Sequence, residues 1–266
     1  MAKTIYAATA ITPGIYENIV KVMASSFVKH SAYQLHIYCL NFTDAQYEDM
    51  GYHFGLDHPN IVLHRVDYHC KYTTNNKNKY TDILDCTSCK FKIFSQSVLE
   101  DYFLWLDADT LVTADIDDIV KYLPRQDVAG NPKTHYVPVK NLEYNAGVIL
   151  LRNKHENVLE NYEQYLDTAY TANDKVYLGY ADEQFIRVAY PSKAVLPIIY
   201  NSRYDNFTEH ARIQHFYGAY VPWSYPLRSM PSHARFMANL WLTEYTSIKH
   251  ILSADFTEHV DSITKA

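Results

Sequence analysis

This chain of 266 residues has no long apolar run, few cysteines, few glycines and no excess of basic side chains. A membrane-spanning helix needs about 18 consecutive apolar residues, and no run reaches that length. The first residues lead directly into a short strand-like segment, without the apolar core of a signal peptide. We therefore expect a cytoplasmic protein with no transmembrane segment.

The charge balance argues against one large class of function. The formal net charge is −6, whereas a broad nucleic-acid-binding surface usually shows as an excess of basic residues. Hydrophobic residues make up 48% of the chain, which is typical of a globular protein and not of a disordered one.

The four cysteines include one close pair, Cys86 and Cys89, whose spacing could suggest a redox or zinc site. A zinc site needs a second pair of ligands, and the nearest candidates are His69 and Cys70. A thioredoxin-type pair would follow a strand and begin a helix, but this pair follows a polar segment. We therefore interpret all four cysteines, including Cys39, as free thiols.

The most informative stretch, residues 103–112, is a run of large apolar residues that ends in two carboxylates, Asp107 and Asp109. Side chains two positions apart in an extended strand point to the same face, so these two would lie side by side where a buried strand ends. Such carboxylates repel each other unless a cation lies between them, and Mg²⁺ and Mn²⁺ prefer oxygen ligands. Alternatively, one carboxylate caps a turn and the other is solvated.

The first third of the chain alternates short apolar strands with helical patterns, an order typical of a parallel, doubly wound α/β sheet. Residues 71–82 are polar and lack apolar periodicity, which predicts a loop, either a mobile lid or a passive surface excursion. A helix is predicted next, over residues 89–100. The earlier predicted strands cover 5–9, 34–40 and 61–66, with helices that begin at Thr12-Pro13 and at the capping box Thr43-x-x-Gln46.

Ligands of such sheets bind beyond the carboxyl ends of the strands, where Asp107 and Asp109 lie, and this position favours the metal site. A second pair, Asp115 and Asp117, is interpreted as structural, because Asp115 suits the N-cap of a helix extending to Leu123. The later predicted elements are a strand at 144–151, helices at 154–172, from 182 and at 232–251, and strands at 196–201 and 213–216.

Four segments resemble, in order, the motifs of glycosyltransferase family 8, the group that contains glycogenin and bacterial lipopolysaccharide galactosyltransferases. Residues 104–112 resemble its metal-binding D-x-D strand, and residues 144–151 resemble its F-N-A-G-V-L-L strand. Leu196-Pro197 with Tyr200-Asn201 resembles L-P-x-x-Y-N, and residues 215–223 resemble H-F-x-G-x-x-K-P-W.

This resemblance implies a GT-A fold, with one Rossmann-like nucleotide-binding domain and a mixed central sheet over residues 1–223. Residues 224–266 would form a short helical extension packed on the same domain. The implied activity is transfer of a hexose, glucose or galactose, from a UDP-sugar with retention of anomeric configuration. Carried over by position, Asp107, Asp109 and His215 would bind the cation, Mn²⁺ or Mg²⁺, that holds the diphosphate.

Other residues follow from the resemblance by position. Lys90 would contact donor phosphate or sugar, and Lys92 is the alternative if the helix register slips. The uridine would lie against Ala7, Ala8, Thr9 and Tyr16, the donor would also contact Ala108 and Gly218, and the sugar would be positioned by Asn145, Ala146 and Asp182.

Three positions depart from the family pattern. The first strand has Ala8-Thr9-Ala10 where the family usually has an Asn or Asp, which weakens the expected base or ribose contacts. The lysine of the K-P-W motif is Val221, which removes a phosphate ligand. Arg203 and Arg228 are candidate replacements for that charge.

The third departure changes an Asp-Gln pair to Asp182-Glu183. This pair resembles the Asp-Glu of retaining α-1,3-galactosyltransferases and blood-group transferases, in which the glutamate is the proposed nucleophile. A carboxylate on that face of the sugar could form a covalent glycosyl-enzyme or stabilise an oxocarbenium-like transition state. The resemblance therefore assigns the catalytic role to Glu183, with Asp182 beside it.

Two other functions fit part of the pattern. A nucleotidyltransferase that makes nucleotide-sugars shares the fold and the acidic site, but it needs a glycine-rich, basic loop after the first strand, and residues 12–14 are a poor substitute. A non-catalytic sugar- or nucleotide-binding protein is consistent with Val221, but both aspartates and His215 argue against it.

The acceptor partner is left open among a saccharide, a lipid-linked saccharide, a protein tyrosine and a modified base. The 25 tyrosines suit stacking on sugars or bases, and they suit ordinary packing equally well. We expect the acceptor contacts to come from residues 173–181 and 224–266, where Tyr177, Tyr180, Tyr217, Tyr220 and Tyr225 lie in or near these segments.

Overall fold

The computed structural model describes residues 5–54, 58–70, 81–96, 102–122, 126–133, 143–152, 157–171 and 181–265. The strands are β1 (Ile5–Ile11), β2 (Gln34–Leu40), β3 (Ile61–Val66), β4 (Tyr102–Leu106), β5 (Thr110–Val112), β6 (Val128–Pro132), β7 (Tyr144–Arg152), β8 (Lys193–Val195) and β9 (Ile213–His215). The helices are α1 (Ile15–His30), α2 (Asp44–Phe54), α3 (Thr81–Gln96), α4 (Val158–Thr171), α5 (Ala181–Ala189), α6 (Ser232–Ile248) and α7 (Ala254–Lys265).

Seven strands form one mixed sheet in the order β3-β2-β1-β4-β7-β6-β8. Strands β1 to β4 make a parallel half, because β1 runs parallel to β2 and β4, and β2 runs parallel to β3. The direction then reverses, since β7 is antiparallel to both β4 and β6. The predicted α/β class, the β-α-β-α-β start and the mixed sheet are confirmed.

The strand sequences explain why the sheet is buried on both faces. Successive β4 side chains alternate, so Leu104 and Leu106 pack on one face while Phe103 and Trp105 pack on the other, all of them buried. Helix α1 covers the first face, and α3, α4 and α5 cover the second. A strand that is apolar on both faces belongs in the centre of such a layered sheet.

A small second sheet and the C-terminal helices extend this core. Strands β5 and β9 pair antiparallel, and Trp241 of α6 packs in one cluster with Ile19 of α1 and Leu111 of β5. Residues 224–265 therefore contact the α/β core, and the proposed division of the chain at residue 223 stays a prediction. None of the described helices is both long and apolar enough to cross a membrane.

Two predicted helix starts are wrong. Helix α1 begins at Ile15, with Gly14 as its N-cap, and not at Pro13 with Thr12 as its N-cap. Gly14 has a φ of 115°, and its amide donates to the Glu17 carboxylate at 2.6 Å. Helix α3 begins at Thr81, eight residues before the predicted residue 89. Its first turns are rich in Thr, Asp and Ser, whose low helix propensity is typical of loops. The rest of the predicted loop, 71–80, lies outside the described residues.

The predicted strand over residues 196–201 is also wrong. Strand β8 ends at Val195, and Pro197 precedes a single 3-10 turn, Ile198–Tyr200, whose last amide donates to the Pro197 carbonyl at 3.0 Å. Proline fixes its own φ and cannot donate a hydrogen bond to a sheet ladder, so it ends the strand.

The C-terminal helix is shorter than predicted and is followed by another. Helix α6 ends at Ile248, and a 3-10 turn leads into α7, which the apolar periodicity did not predict. The Ser253 hydroxyl accepts a hydrogen bond from the Phe256 amide at 3.4 Å, as the N-cap residue of a new helix does.

The second Asp pair has the structural contacts that were expected, although the helix after it is only the 3-10 turn Ile119–Tyr122. The Asp117 carboxylate accepts hydrogen bonds from the Ser31 hydroxyl at 2.8 Å and the Ala32 amide at 3.1 Å. The Asp115 carboxylate accepts one from the Asp117 amide at 2.8 Å. This pair therefore connects the end of α1 to the segment after β5.

Candidate active site

Asp107 and Asp109 are brought together by a tight turn between β4 and β5, not by strand alternation. Strand β4 ends at Leu106, and the Thr110 amide and hydroxyl both donate to the Asp107 carbonyl, at 3.1 and 2.8 Å. The expectation that both carboxylates lie on one face of an extended strand is therefore wrong, although their proximity at the strand end is observed.

His215 joins the two carboxylates because of the pairing of β5 with β9. Thr110 is the register partner of His215, and the Phe216 amide donates to the Asp109 carbonyl at 2.9 Å. The His215 Nε2 atom lies 3.3 Å from Asp109 Oδ1 and 3.9 Å from Asp107 Oδ2. Ligand atoms of the three side chains all lie within 4.8 Å of one another.

Gly147 makes room for the His215 ring. The Gly147 carbonyl accepts a hydrogen bond from the Asp107 amide at 2.8 Å, which extends the β4–β7 ladder by one step. A Cβ atom at this position would lie 2.0 Å from His215 Cε1, a distance that no side chain could tolerate. Only glycine therefore allows this close approach of β7 to the imidazole.

Three hydrogen bonds determine which ring nitrogen of His215 carries the proton. The Gly147 amide can only donate, so the Asn145 atom that it contacts at 3.3 Å is the carbonyl oxygen. The Asn201 amide nitrogen donates to that same oxygen at 3.0 Å, which turns its own carbonyl oxygen toward His215 Nδ1 at 3.2 Å. His215 Nδ1 therefore donates, and Nε2 points at the aspartates.

This arrangement fits a divalent cation. The Nε2 lone pair of a neutral imidazole would otherwise face two carboxylates with nothing positive between them, whereas two oxygens and one imidazole nitrogen are a suitable ligand set for a divalent metal. Burial raises the pKa of Asp107, and Asp109 raises it further, against the opposing effect of Lys90. Burial lowers the pKa of His215, but Asp109 and Asp107 reverse this effect and raise it overall.

Lys90 forms a buried ion pair beside this cluster. Its ammonium donates to Asp182 Oδ2 at 2.7 Å and to the Ala146 carbonyl at 3.0 Å, and it lies 5.0 Å from the centre of the Trp105 ring. Burial lowers the pKa of Lys90, but Asp182 and Asp107 outweigh it and raise the pKa overall, so the ammonium stays charged. Lys92, the alternative, lies instead over the Tyr68 ring.

An irregularity in the pairing of β6 with β7 leaves backbone groups of β7 without a partner in the sheet. These groups instead bind Lys90 and Glu183. The register shifts between Gly130 and Asn131, so residues 146–148 have no register partner on β6. The Ala146 amide instead donates to Glu183 Oε1 at 3.2 Å, while its carbonyl accepts from Lys90. The bulge therefore lets the backbone amide and carbonyl of one residue, Ala146, bind Glu183 and Lys90 respectively.

Lys133, just after β6, forms an ion pair with the second Glu183 oxygen. Burial raises the pKa of Glu183 to about 7, and Asp182 adds to this effect, while Lys133 and the Ala146 amide oppose it. No sequence signal pointed to Lys133, because only the pairing of β6 with β7 brings it to the site.

The site has two more carboxylates than lysines, and one divalent cation would balance this excess of negative charge. Four carboxylates face two lysines among the described side chains, namely Asp107, Asp109, Asp182 and Glu183 against Lys90 and Lys133. The guanidinium of Arg203 also acts on His215, but it is paired with Asp205 at 3.1 Å. Two negative charges therefore remain uncompensated when His215 is neutral.

A cleft opens beside the aspartates at the carboxyl ends of β1 and β4. It is lined by Ala10, Thr12, Tyr16, Cys86, Thr87, Trp105, Asp107, Ala108 and Asp109. Trp105 connects it to the Asp107–Asp109–His215 cluster, because its indole nitrogen donates to Asp107 Oδ1 at 2.5 Å. Cys86 and Thr87 were not expected here, and the early start of α3 accounts for their position.

Several residues implied by the resemblance do not line this cleft. Ala7 and Ala8 are fully buried on the two faces of the sheet, and Thr9 is fully buried with a hydroxyl that has no hydrogen-bond partner among the described residues. The residues of this part of the chain that line the cleft are instead Ala10 and Thr12, so the uridine contacts of Ala7, Ala8 and Thr9 stay a prediction.

The segment after β9 contains Gly218 and the position of the missing lysine. Gly218 has a φ of 81°, a left-handed conformation that favours glycine. Val221 is partly buried and packs against the cluster formed by Trp241, Ile19 and Leu111. Of the two candidate replacements, Arg203 is buried against Asp205 and Asn131, and Arg228 is exposed. None of the four cysteines forms a disulfide in the structure.

The sequence matches no family model and no curated protein, but solved structures of glycosyltransferases share its fold. The galactosyltransferase LgtC, in complex with donor and acceptor sugar analogues, aligns with a TM-score of 0.68 at 12% identity, over 96% of this chain and 99% of that chain. The chain has the GT-A fold. The glycosyltransferase GlyE of Streptococcus pneumoniae TIGR4 has a TM-score of 0.65 at 17% identity, over 98% and 64% of the two chains.

A third structure, the bifunctional glycosyltransferase WbbM in its apo form, has a TM-score of 0.63 at 15% identity and covers 95% of this chain and 52% of that chain. Within its GT-A fold, this chain has one Asp-Asp-His cluster among the described residues, next to the Lys90–Asp182 and Lys133–Glu183 pairs. These features together delimit the candidate active site.

Proposed function

We propose that this chain is a retaining glycosyltransferase that transfers a hexose, glucose or galactose, from a UDP-sugar in the presence of Mn²⁺, with Mg²⁺ as the alternative ion. The observation that carries the proposal is the cluster of Asp107, Asp109 and His215 beside two buried carboxylate–lysine pairs, in a GT-A fold. The galactosyltransferase LgtC, which shares the fold, has been seen with donor and acceptor sugar analogues.

Asp107, Asp109 and His215 would hold the cation. When bound there, a divalent ion neutralises the negative charge that develops on a diphosphate leaving group. The imidazole in the set favours Mn²⁺ over Mg²⁺, which is usually bound through oxygen ligands alone. Because Val221 replaces the lysine expected to contact phosphate, we expect this chain to depend strongly on the divalent ion.

The nucleoside would occupy the cleft at the carboxyl end of β1. Ala10 and Thr12 line this cleft, and so does Tyr16, an aromatic residue that is 39% exposed. Burial raises the pKa of Tyr16 well above its ordinary value, and Asp109 adds to this effect. The Tyr16 hydroxyl therefore stays protonated and can donate to a ribose or phosphate oxygen.

The donor sugar would lie between the cation and Glu183, in contact with Asn145, Ala146 and Asp182. Two routes lead to retention. In the first, a Glu183 oxygen bonds to the anomeric carbon as the bond to UDP breaks and its electron pair leaves with UDP; the acceptor oxygen then displaces Glu183, and its proton passes to the departed phosphate. In the second, Glu183 only stabilises an oxocarbenium-like transition state while the acceptor attacks.

A donor panel tests the proposal. Purified protein is incubated with UDP-glucose, UDP-galactose and other nucleotide-sugars, with and without Mn²⁺, and UDP release is measured together with the anomeric configuration of the product. Mn²⁺-dependent release with retention supports the proposal. Tight donor binding with no turnover would indicate a binding protein, and pyrophosphate release from a nucleoside triphosphate and a sugar phosphate would indicate a nucleotidyltransferase.

Asn201 provides a second, independent test of the metal site. Replacing Asn201 with leucine removes the acceptor that holds the proton on His215 Nδ1, so the imidazole loses its orientation. We expect Mn²⁺ affinity, measured on the purified protein by the electron paramagnetic resonance signal of free Mn²⁺, to fall by about 10- to 100-fold. Asn239→Leu makes the same chemical change on the exposed face of α6 and should have no effect. Unchanged affinity in a folded Asn201→Leu variant would contradict the assigned tautomer.

A further inference from the structure

Glu183 forms an ion pair with Lys133, a residue that the sequence did not suggest. Lys133 reaches it from the end of β6, a different element from α5 on which Glu183 lies. The Glu183 side chain is buried, at 7% exposed, whereas that of Lys133 is 32% exposed. Lys133 therefore reaches a buried carboxylate from a position that is partly open to solvent. One Glu183 carboxylate oxygen pairs with the Lys133 ammonium, and the other accepts a hydrogen bond from the Ala146 amide.

The charged neighbours of Glu183 show why a second lysine is needed. Asp182 precedes it on α5 and would repel a second anion, and Lys90 of α3 is already paired with Asp182 at 2.7 Å. Strand β7 contributes two uncharged donors to Glu183 Oε1, the Ala146 backbone amide at 3.2 Å and the Asn145 side-chain amide at 3.5 Å. From α4, Tyr165 donates to Gln184, and not to Glu183. Lys133 is therefore the direct counterion of Glu183 among the described side chains.

We propose that Lys133 is a positioning residue that keeps the Glu183 carboxylate ionised and oriented for its part in sugar transfer. The role in transfer rests on the proposed function, whereas the effect on ionisation does not. A protonated Glu183 can neither attack an anomeric carbon nor stabilise positive charge on a sugar, so either catalytic route requires the anion. Each of the two buried carboxylates pairs with its own lysine, Asp182 with Lys90 and Glu183 with Lys133. The two lysines come from different elements, α3 and the end of β6.

The direction of the effect follows from the local electrostatics. Burial and Asp182 raise the pKa of Glu183, and Lys133 lowers it. Removal of the ammonium should therefore raise that pKa, because an opposite charge in direct contact favours the ionised form by about 1–3 pH units. A variant without Lys133 should need a higher pH to ionise Glu183.

The decisive experiment needs no substrate. The full-length protein is labelled with carbon-13 at the side-chain carboxyl carbon of glutamate, and the Glu183 signal is assigned by its absence in Glu183→Gln. The pH titration of that signal is followed in the wild type, in Lys133→Gln and in Lys133→Arg. We expect the midpoint to rise by about 1–3 pH units in Lys133→Gln and to return close to the wild-type value in Lys133→Arg.

A matched control removes another ion-paired lysine. Lys121→Gln breaks the exposed Lys121–Asp118 pair and should leave the Glu183 titration unchanged. If Lys133→Gln also leaves it unchanged while circular dichroism shows a native fold, the proposal is wrong. Because this titration involves no donor, it remains informative even if the chain transfers no sugar.

The pH dependence of transfer supplies the functional readout. In Lys133→Gln the acidic limb of the kcat/KM profile, which reports the ionisation of the free enzyme, should move to higher pH by the same interval as the titration midpoint. Activity lost near neutral pH should therefore return at higher pH. In a Glu183→Gln background, Lys133→Gln should cause no further loss of transfer activity, because Lys133 acts through Glu183. A rise in donor KM with an unmoved pH profile would instead indicate that Lys133 contacts the donor phosphate, and would overturn the proposal.

Discussion

Replacing His215 with alanine is expected to reduce Mn²⁺-dependent UDP release by about 10³-fold, because a bound metal contributes several kcal/mol of charge stabilisation in a transition state. The structure explains why no neighbour compensates. His215 is 2% exposed, and its Nε2 is the one imidazole nitrogen that faces Asp107 and Asp109 among the described residues. Removing it leaves two carboxylates from one turn to hold the ion.

Metal binding and turnover are measured on the same protein samples. Isothermal titration with Mn²⁺ should show the loss of affinity in His215→Ala, and treatment of the wild type with a chelator should abolish UDP release until Mn²⁺ is restored. His210→Ala is the matched control, because His210 is 82% exposed and pairs only with Glu209 in the described contacts. Wild-type Mn²⁺ affinity in a folded His215→Ala variant would rule out the proposed ligand set.

Replacing Glu183 with glutamine is expected to lower kcat by about 10²- to 10³-fold while changing the donor KM much less. Glutamine keeps the shape and can still accept the Ala146 amide at the position of Oε1, so the fold and the sugar pocket persist. What it loses is the charge, which both proposed routes require. It also leaves the Lys133 ammonium without its anion at the mouth of the site.

Single-turnover and steady-state assays of UDP release measure this effect, with Glu160→Gln on the exposed face of α4 as the control for loss of one carboxylate. Near-normal turnover of Glu183→Gln would remove Glu183 from the chemistry. The smaller Glu183→Ala variant separates the two routes. If Glu183 is the nucleophile, azide should restore UDP release by attacking the anomeric carbon from the vacated face, giving a glycosyl azide of inverted configuration.

The site residues that lie at strand ends were the easiest to predict from the sequence. Asp107 and Asp109 follow five buried residues, and the carboxyl ends of parallel strands are where ligands bind, so a functional site could be expected there without a structure. His215 also lies at a strand end, but a lone histidine there is more often structural. Its place in the cluster depends on the pairing of β9 with β5, which joins residues about a hundred positions apart.

Local sequence patterns failed where local chemistry was ambiguous. The first turns of α3 have the composition of a loop, and residues 196–201 have the apolar composition of a strand that Pro197 then prevents. The β6–β7 bulge leaves no recognisable signal either, although it makes the Ala146 backbone available to both Glu183 and Lys90. At the bulge the decisive partners come from other elements, α5 and α3.

Apolar periodicity and the order of strands and helices determined the α/β class of this protein, because burying those faces leaves few alternatives to a layered sheet. The same sequence pointed to Asp107 and Asp109 by their position at the end of a buried strand, and to Asp182 and Glu183 through the motif resemblance. Only the tertiary structure decided what each carboxylate faces. Lys133 meets Glu183, Lys90 meets Asp182, and His215 meets Asp107 and Asp109. These pairings are long-range contacts, so they depend on strand register and on helix packing, which no local pattern encodes.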